Sequence, residues 1–443
     1  MVEATEERES ESRAILVGAG EDRQMGELGR LAETLGLEVA GTIEQGRRDG
    51  VGYLGRGKRE ELGELVKELG AGVVVTDDEL SPAQARVLEK SAGAPSAGAP
   101  LVVDRTLLII RIFEAHARDA ASRLEVELAE LTYRLPRVRG GYRALSRLGG
   151  GGVTTRGPGE QQLEYDRRVI RRRMERIRRR LAEEESARQV RGARLKREGP
   201  PSVALVGYTN AGKTTIMNAL SGEGRSTADR LFETLETTTR IVEGNRAVTG
   251  GSGEHAQGSV SRPDFVLTDT VGFIRKLPTQ LVHSFSSTLE AAADADVLVL
   301  CADASSEELE EEIRVVEDTL AETFGEEAGA QVPAPRREIL LCLNKIDLVS
   351  KERVRELLAG HPGAVPISAR LDATPLLDAV HETLARNRVR LRLLIPHSEY
   401  GAVDGLYGKA EIHAREDTAE GLRLDVTLPK RALPRYSRYV VGV

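Results

Sequence analysis

Residues 207–214 read GYTNAGKT, two glycines followed by a lysine and a hydroxyl residue. Glycines at this spacing let a loop turn its backbone N–H groups inward around an anion, and a helix that follows adds the positive end of its dipole. In that frame Lys213 reaches the β- and γ-phosphates of a nucleotide, and the Thr214 hydroxyl ligates Mg2+. Gly207, Tyr208, Thr209, Asn210, Ala211, Gly212 and Thr215 complete the cradle. The apolar run 203–206 before it and the helical pattern after it supply the strand–loop–helix setting that this chemistry needs. A second string, GYLGRGK at 52–58, has similar glycine–lysine spacing, but Arg59 stands where the hydroxyl should be. It places no side chain for a metal and reads as a turn before a helix, with weak nucleotide contact left open.

Three further strings follow in order. Asp269-Thr270-Val271-Gly272 comes after the apolar run 265–268. An aspartate at the end of a buried strand holds a metal through water, and Gly272 offers its N–H to a γ-phosphate with no side chain in the way. Asn344-Lys345-Ile346-Asp347 follows the run 339–343. There Asp347 accepts from guanine N1 and N2, while the stem of Lys345 covers the ring; adenine lacks the matching donors, so base choice rests on this string. Ser368 and Ala369, with Arg370 beside them, follow 365–367 and supply N–H groups to guanine O6. Four strings in this order, each at a strand end, imply GTP and GDP as ligands and hydrolysis of GTP to GDP and phosphate.

Hydrolysis needs a positioned water. Many small GTPases place a glutamine directly after the Gly272 position; here Phe273 stands there, with no polar group to offer. Slow intrinsic turnover that a partner stimulates is the expectation, and the group that activates hydrolysis is left unassigned. Asn210 occupies the loop position at which related GTPases coordinate K+, a built-in positive charge, with an ordinary turn asparagine as the alternative. His283 is read as a surface histidine.

Positioning these strings takes alternating strands and helices. The chain has 443 residues, 40% hydrophobic and 30% charged, which describes a soluble globular protein of several domains. Its net charge of −7 argues against bulk attraction to nucleic acid. Cys301 and Cys342 lie in apolar runs and read as reduced core filler of a cytoplasmic protein. Residues 1–13 lack the apolar core of a signal peptide, and no apolar run is long enough to span a bilayer, so integral membrane association is not expected. Strands are expected at 14–17, 73–76 and 101–103, with helices at 25–35, 58–69 and 82–89, forming a small parallel α/β domain. Residues 107–135 and 160–197 read as two long helices, an antiparallel hairpin around a glycine- and arginine-rich tip at 136–159. A second α/β domain follows Pro200-Pro201, with a Gly/Ser-rich hairpin insertion at 249–263. Strands at 389–396, 410–414 and 422–429 form a small unit at the end of the chain. The fold class is thus α/β multidomain: a P-loop domain with a mostly parallel sheet flanked by helices, preceded by a small α/β domain and a long helical hairpin, and followed by a small α+β domain. Boundaries fall at 1–105, 106–199, 200–387 and 388–443.

Around the hairpin tip stand Arg134, Arg137, Arg139, Arg143, Arg147 and Arg156, with Tyr142 available for stacking. Arginine on flexible backbone suits close approach to folded RNA. Arg167, Arg168, residues 171–173 and residues 178–180 add further arginines on the next helix, where a solvated charged helix with Glu partners is the competing reading.

Assembled, these residues resemble the HflX family, ribosome-associated GTPases within the Obg-like group of translation factors. The resemblance covers nearly the whole chain. It is carried by DDELSPAQ at 77–84, VDRT at 103–106, TRGPGE at 155–160, GYTNAGKTT at 207–215 and DTVGFIRKL at 269–277. It also places the first switch: LFETL at 231–235 matches the family's LFxTL, so Phe232, Glu233, Thr234, Leu235 and Glu236 are implied at the nucleotide, with Thr234 as the second hydroxyl on Mg2+. Thr237, Thr238 and Thr239 are neighbouring hydroxyls that the sequence alone leaves open. Glu236-Thr237 stands where family members often carry Asp-Pro. The resemblance further implies binding to the large ribosomal subunit, with the hairpin directed at ribosomal RNA, and the splitting or rescue of stalled or idle ribosomes; Arg137, Arg139, Tyr142, Arg143, Arg147 and Arg156 are the candidate RNA contacts, and a monomer is expected. A GTP-driven RNA-remodelling or RNA-modification factor and a regulatory scaffold are the alternatives.

Overall fold

The computed structural model describes residues 12–93, 100–138, 158–198, 200–222, 238–244, 262–276, 292–293, 295–325, 338–406 and 410–442, with backbone alone at 158–163, 185–198, 404, 431 and 434. The chain divides into two compact units. The first is Met1–Glu184 with Ala228–Glu236 and Arg275–Ser286; the second is Glu185–Thr227, Thr237–Ile274 and Ser287–Val443.

The first unit is built on four parallel strands, β1 (Arg13–Ala19), β2 (Glu38–Gln45), β3 (Val73–Thr76) and β4 (Leu101–Asp104), in the order β2-β1-β3-β4. β1 beyond Arg13 and all of β3 are buried, and their uninterrupted apolar runs suit strands covered on both faces. Helices α1 (Met25–Thr34), α2 (Arg56–Leu69) and α3 (Pro82–Ser91) connect the strands. α3 opens on a capping box in which Ser81 and Gln84 satisfy each other's backbone N–H groups. β2 was not among the expected strands. It is a sheet edge in which only Ile43 is buried, so its sequence, EVAGTIEQ, carries neither an apolar run nor strict alternation.

The helix expected over 107–135 is two helices, α4 (Arg105–His116) and α5 (Ala120–Arg137). The break is made by Asp119, whose carboxylate accepts from the Ser122 N–H and starts a new helix. α4 buries Leu108, Ile109, Ile112 and Phe113 and packs on α1, β3 and β4. α6 (Pro158–Glu198) runs for 41 residues. Its Met174 and Ile177 are buried, and Arg173 grips Glu127 of α5 through two bonds of 2.6 and 2.7 Å. Most of the tip between α5 and α6, residues 139–157, lies outside the described residues.

The second unit holds two sheets. One comprises β5 (Ser202–Gly207), β6 (Thr238–Val242), β7 (Phe265–Asp269), β8 (Val297–Asp303), β9 (Glu338–Asn344) and β10 (Val365–Pro366), in the order β10-β9-β8-β5-β7-β6 with only β6 antiparallel. Helices α7 (Lys213–Ser221), α8 (Leu309–Gly325), α9 (Lys351–Gly360) and α10 (Thr374–Arg386) accompany it. Val203, Leu205, Phe265, Val299 and Leu376 sit in its core. Cys301 and Cys342 face each other across β8 and β9, buried and unbridged. Residues 249–261 of the expected insertion lie outside the described residues. The other sheet is antiparallel: β11 (Arg388–Ile395), β12 (Glu411–Thr418), β13 (Gly421–Pro429) and β14 (Val440–Gly442), in the order β12-β13-β11-β14. β14 was not expected, being three residues long, and β12 runs past 414 because its exposed residues show no apolar alternation. Among the described residues no helix is long and apolar enough to cross a membrane.

Candidate nucleotide site

The strings at 207–215, 269–272, 344–347 and 368–370 all follow strands of the six-stranded sheet. The 207–212 loop is shaped by what presses on it. A Cβ at Gly207, whose φ is 154°, would stand 2.2 Å from the Cys301 carbonyl oxygen, and one at Gly212, at φ 87°, would stand 2.3 Å from Asn344 Nδ2. Asn210 is also left-handed, at φ 63°, a conformation asparagine tolerates better than most residues. α7 starts directly after the loop and aims its N-terminal N–H groups into it.

Lys213 is buried, and its ammonium donates to the carbonyls of Gly207 at 3.0 Å and Tyr208 at 2.8 Å. Burial pushes its pKa down, opposed by the charge of Asp269. Asp269 is buried as well; burial pushes its pKa up, and Lys213 opposes this. One oxygen of Asp269 accepts from the Thr214 hydroxyl at 2.8 Å, while Oδ1 is buried without a hydrogen-bond partner. The Thr209 hydroxyl is likewise buried without a partner. Thr215 is half-buried in the first turn of α7.

The 269–272 turn is fastened on both sides. The Thr270 hydroxyl donates to the Leu205 carbonyl at 2.7 Å, and Val271 is buried. Phe273 N–H donates to the Gly207 carbonyl at 3.1 Å, and Phe273 accepts from Thr209 N–H at 2.8 Å. Phe273 therefore has a backbone role that its apolar side chain conceals: it ties this turn to the phosphate-type loop. A Cβ at Gly272 would lie 2.8 Å from Thr209 Cα and 3.0 Å from the Lys213 ammonium. The position is closed to any side chain.

Asn344 joins two of the loops, donating to the Ala211 carbonyl at 2.9 Å and accepting from Ala369 N–H at 3.0 Å. Lys345, at φ 62°, reaches Asp303 at 2.7 Å. Asp303 was missed in the sequence, where nothing marks it except its place at the end of β8. Asp347 and Arg370 are exposed, and the Ser368 hydroxyl is buried without a partner. Residues 232–237 lie outside the described residues; of the alternative threonines, Thr238 and Thr239 stand in β6, with Thr238 opposite Asp269.

The 52–58 string forms a turn. Asp49 accepts from the N–H groups of Val51 and Gly52, Tyr53 is left-handed, and Gly55 N–H donates to Gln45. Lys58 pairs with Glu61. Of the arginines and tyrosine expected on RNA, Arg139, Tyr142, Arg143, Arg147 and Arg156 lie outside the described residues. Arg137 stands in the last turn of α5, half-buried. It donates to the Leu80 carbonyl at 2.6 Å and to Asp104 at 3.0 Å, with its guanidinium 3.5 Å from the centre of the Tyr133 ring.

Residues 22–114 match the family model described as GTP-binding GTPase N-terminal, 116–195 the GTP-binding GTPase middle region, and 202–345 the 50S ribosome-binding GTPase. GTPase HflX of Caldanaerobacter subterraneus subsp. tengcongensis is 36% identical over 451 residues, covering 100% of this chain and 96% of that protein. The chain belongs to the HflX family of GTPases. GTPase HflX of Escherichia coli K12 is 38% identical over 352 residues, 78% of this chain and 75% of that protein. Among solved structures, a GTP-binding protein from Sulfolobus solfataricus in complex with GDP is 21% identical, with a TM-score of 0.42 over 84% of this chain and 98% of that one. Membership of the HflX family carries GTP hydrolysis with it.

Proposed function

We propose that this HflX-family GTPase binds the large ribosomal subunit and uses GTP hydrolysis to time the splitting or rescue of stalled or idle ribosomes in the cytoplasm. The observation that carries the proposal is the convergence of the 207–215, 269–272 and 344–347 loops within the segment that matches the 50S ribosome-binding GTPase model.

In this reading the N–H groups of Asn210, Gly212 and Lys213 hold the phosphates, and the Lys213 ammonium leaves the Gly207 and Tyr208 carbonyls to reach the β- and γ-oxygens. Gly272 N–H meets the γ-phosphate. Asp347 accepts from guanine, Lys345 covers the ring, and Ser368, Ala369 and Arg370 border it. Asn344 sets the distance between the phosphate and base subsites. Phe232, Glu233, Thr234, Leu235 and Glu236 are assigned to the nucleotide by the family resemblance alone.

The residues present fit Mg2+: a buried carboxylate oxygen of Asp269 has no partner, and the Thr214 hydroxyl stands beside it. Thr214 and Thr234 would ligate the ion, with Asp269 holding it through water. When bound, Mg2+ neutralises charge on the β- and γ-phosphate oxygens. K+ beside Asn210 would add a second positive charge at the phosphates. No side chain among the described residues at 207–215 or 269–273 is placed as a general base, and Phe273 offers only its backbone, so slow turnover in isolation and stimulation by the subunit belong to the same reading.

We also propose four domains, with α4 counted with the N-terminal sheet on which it packs, and a monomer. The test is GTP turnover in Mg2+ and K+ buffer with and without purified large subunits, ATP serving as control. Strong GTP-selective stimulation is expected. Unchanged turnover together with no binding of the subunit would refute the ribosome reading and leave the GTPase standing.

A further inference from the structure

The first unit carries a charge cluster that the nucleotide site does not use. It lies where β1, β3 and β4 end: Asp22 follows β1, Asp77 and Asp78 follow β3, and Arg105 follows β4. The carboxyl ends of the strands are where open parallel sheets take their ligands. Here that edge is acidic. Arg105, fully buried, bonds Asp77 Oδ1 at 2.7 Å and lies 3.1 Å from Glu27. The other oxygen of Asp77 accepts from Gln24 N–H at 2.9 Å and from Lys276 at 2.7 Å. Asp78 lies 2.8 Å from the same ammonium and Asp22 lies 3.8 Å away. Arg48 bridges Asp22 and Asp78 at the rim, and the Tyr53 hydroxyl donates to Asp78 at 2.8 Å. The occupant of this crevice is thus a side chain of the chain itself.

Arg275 and Lys276 belong to the first unit, although Gly272 to Ile274 belong to the second. Arg105 also donates to the Arg275 carbonyl at 3.1 Å. Lys276 is left-handed, at φ 51°, a conformation that a lysine keeps only where its surroundings fix it. Both backbone and side chain are therefore pinned four positions beyond Gly272, a tether that spans at most about 14 Å when extended.

We infer that Lys276 is a positioning residue for the choice between GDP and GTP: its ammonium, seated among Asp22, Asp77 and Asp78, anchors the far end of the segment whose Gly272 N–H would have to reach the γ-phosphate. The inference rests on the reading of Gly272 given above. Drawing Gly272 N–H onto a γ-phosphate pulls on the segment whose far end the anchor holds; GDP has no γ-phosphate and makes no such demand. The seated anchor therefore favours GDP, and its release favours GTP.

The test uses the full-length protein with GDP and a non-hydrolysable GTP analogue. Lys276→Ala is expected to shift the ratio of the two affinities by about fivefold or more toward the analogue, and Lys276→Arg to restore the wild-type ratio. Amine-reactive labelling of Lys276 in the wild type is expected to rise when the analogue replaces GDP. This measurement needs no variant, and Asp78→Asn, which removes charge and keeps shape, gives a second route should Lys276→Ala fold poorly. An unchanged ratio in a folded Lys276→Ala or Asp78→Asn protein, or equal labelling with both nucleotides, overturns the anchor. Failure of the wild type to distinguish the analogue from unrelated nucleotides overturns the nucleotide-site reading and the anchor with it.

Discussion

Lys213 and Asp269 are each drawn toward neutrality by burial, and each is opposed by the charge of the other. Such a pair is poised for a ligand that brings negative charge and a counterion, because the new charges complete a balance the two side chains only begin. Asp347 is a simpler case. It is exposed, so its proposed work is recognition of the base rather than support of the fold. Hydrogen bonds to a charged acceptor contribute about 1.5–3 kcal/mol, so Asp347→Asn should weaken GDP binding about 10- to 150-fold. Because the amide also offers a donor, the variant should gain affinity for xanthosine diphosphate; calorimetric titration with both nucleotides checks this, and thermal stability should be unchanged. At this scale the sequence was informative about residue type and order, since each string is contiguous. It was silent on Asp303, which meets Lys345 only because β8 and β9 are neighbours, and on the backbone bonds of Phe273, which no side chain advertises.

Elements show where pattern reading stops. Helices and buried strands announce themselves by periodicity, whereas β2 is an edge with one buried residue, and the α4–α5 break depends on one capping carboxylate, Asp119. Arg137 makes the same point for function. Its composition-level reading joins it to the arginines of the tip, yet the fold turns it onto Asp104, whose other oxygen caps α4 by accepting from Leu107 N–H at 2.9 Å. Asp104 also accepts from Leu80 N–H at 3.1 Å. Removing one partner of a buried pair typically costs about 3–5 kcal/mol; with both backbone donors kept, Arg137→Ala should cost about 3 kcal/mol. Burial holds the Asp104 pKa above its ordinary value, so the folded state binds its proton more tightly than the unfolded chain does. The ionised carboxylate therefore burdens the fold at neutral pH. That burden is relieved as pH falls through the folded pKa and is gone below the unfolded value of about 3.9. The deficit of Arg137→Ala should accordingly be largest at neutral pH and shrink in acid, read by hydrogen exchange of the α4 and α5 amides. A change within about 0.5 kcal/mol at pH 7, as for an unconstrained surface arginine, would refute the structural role.

Over the whole molecule the charge is −7, and a protein of that sign approaches RNA only by concentrating its cations. Part of α6 does not serve this end: Arg173 is engaged with Glu127, and Arg168 lies 3.6 Å from Glu164, which favours the solvated-helix reading for those positions. The tip arginines are a different population, Arg139, Arg143, Arg147 and Arg156 standing among glycines in a stretch without acidic residues from 138 to 159. Guanidinium groups on such backbone can follow an irregular phosphate surface, and each phosphate neutralised releases condensed counterions. Replacing all four by alanine should therefore abolish tight binding to the large subunit at moderate salt. It should also flatten the dependence of log affinity on log salt by about 0.7–0.9 for each phosphate contact removed, close to three in all if every arginine meets one. Affinity for GTP should stay as it is, since all four positions lie outside the segment that carries the nucleotide loops. A variant that bound the subunit with an unchanged salt slope would move recognition away from the hairpin, whatever the GTPase loops do.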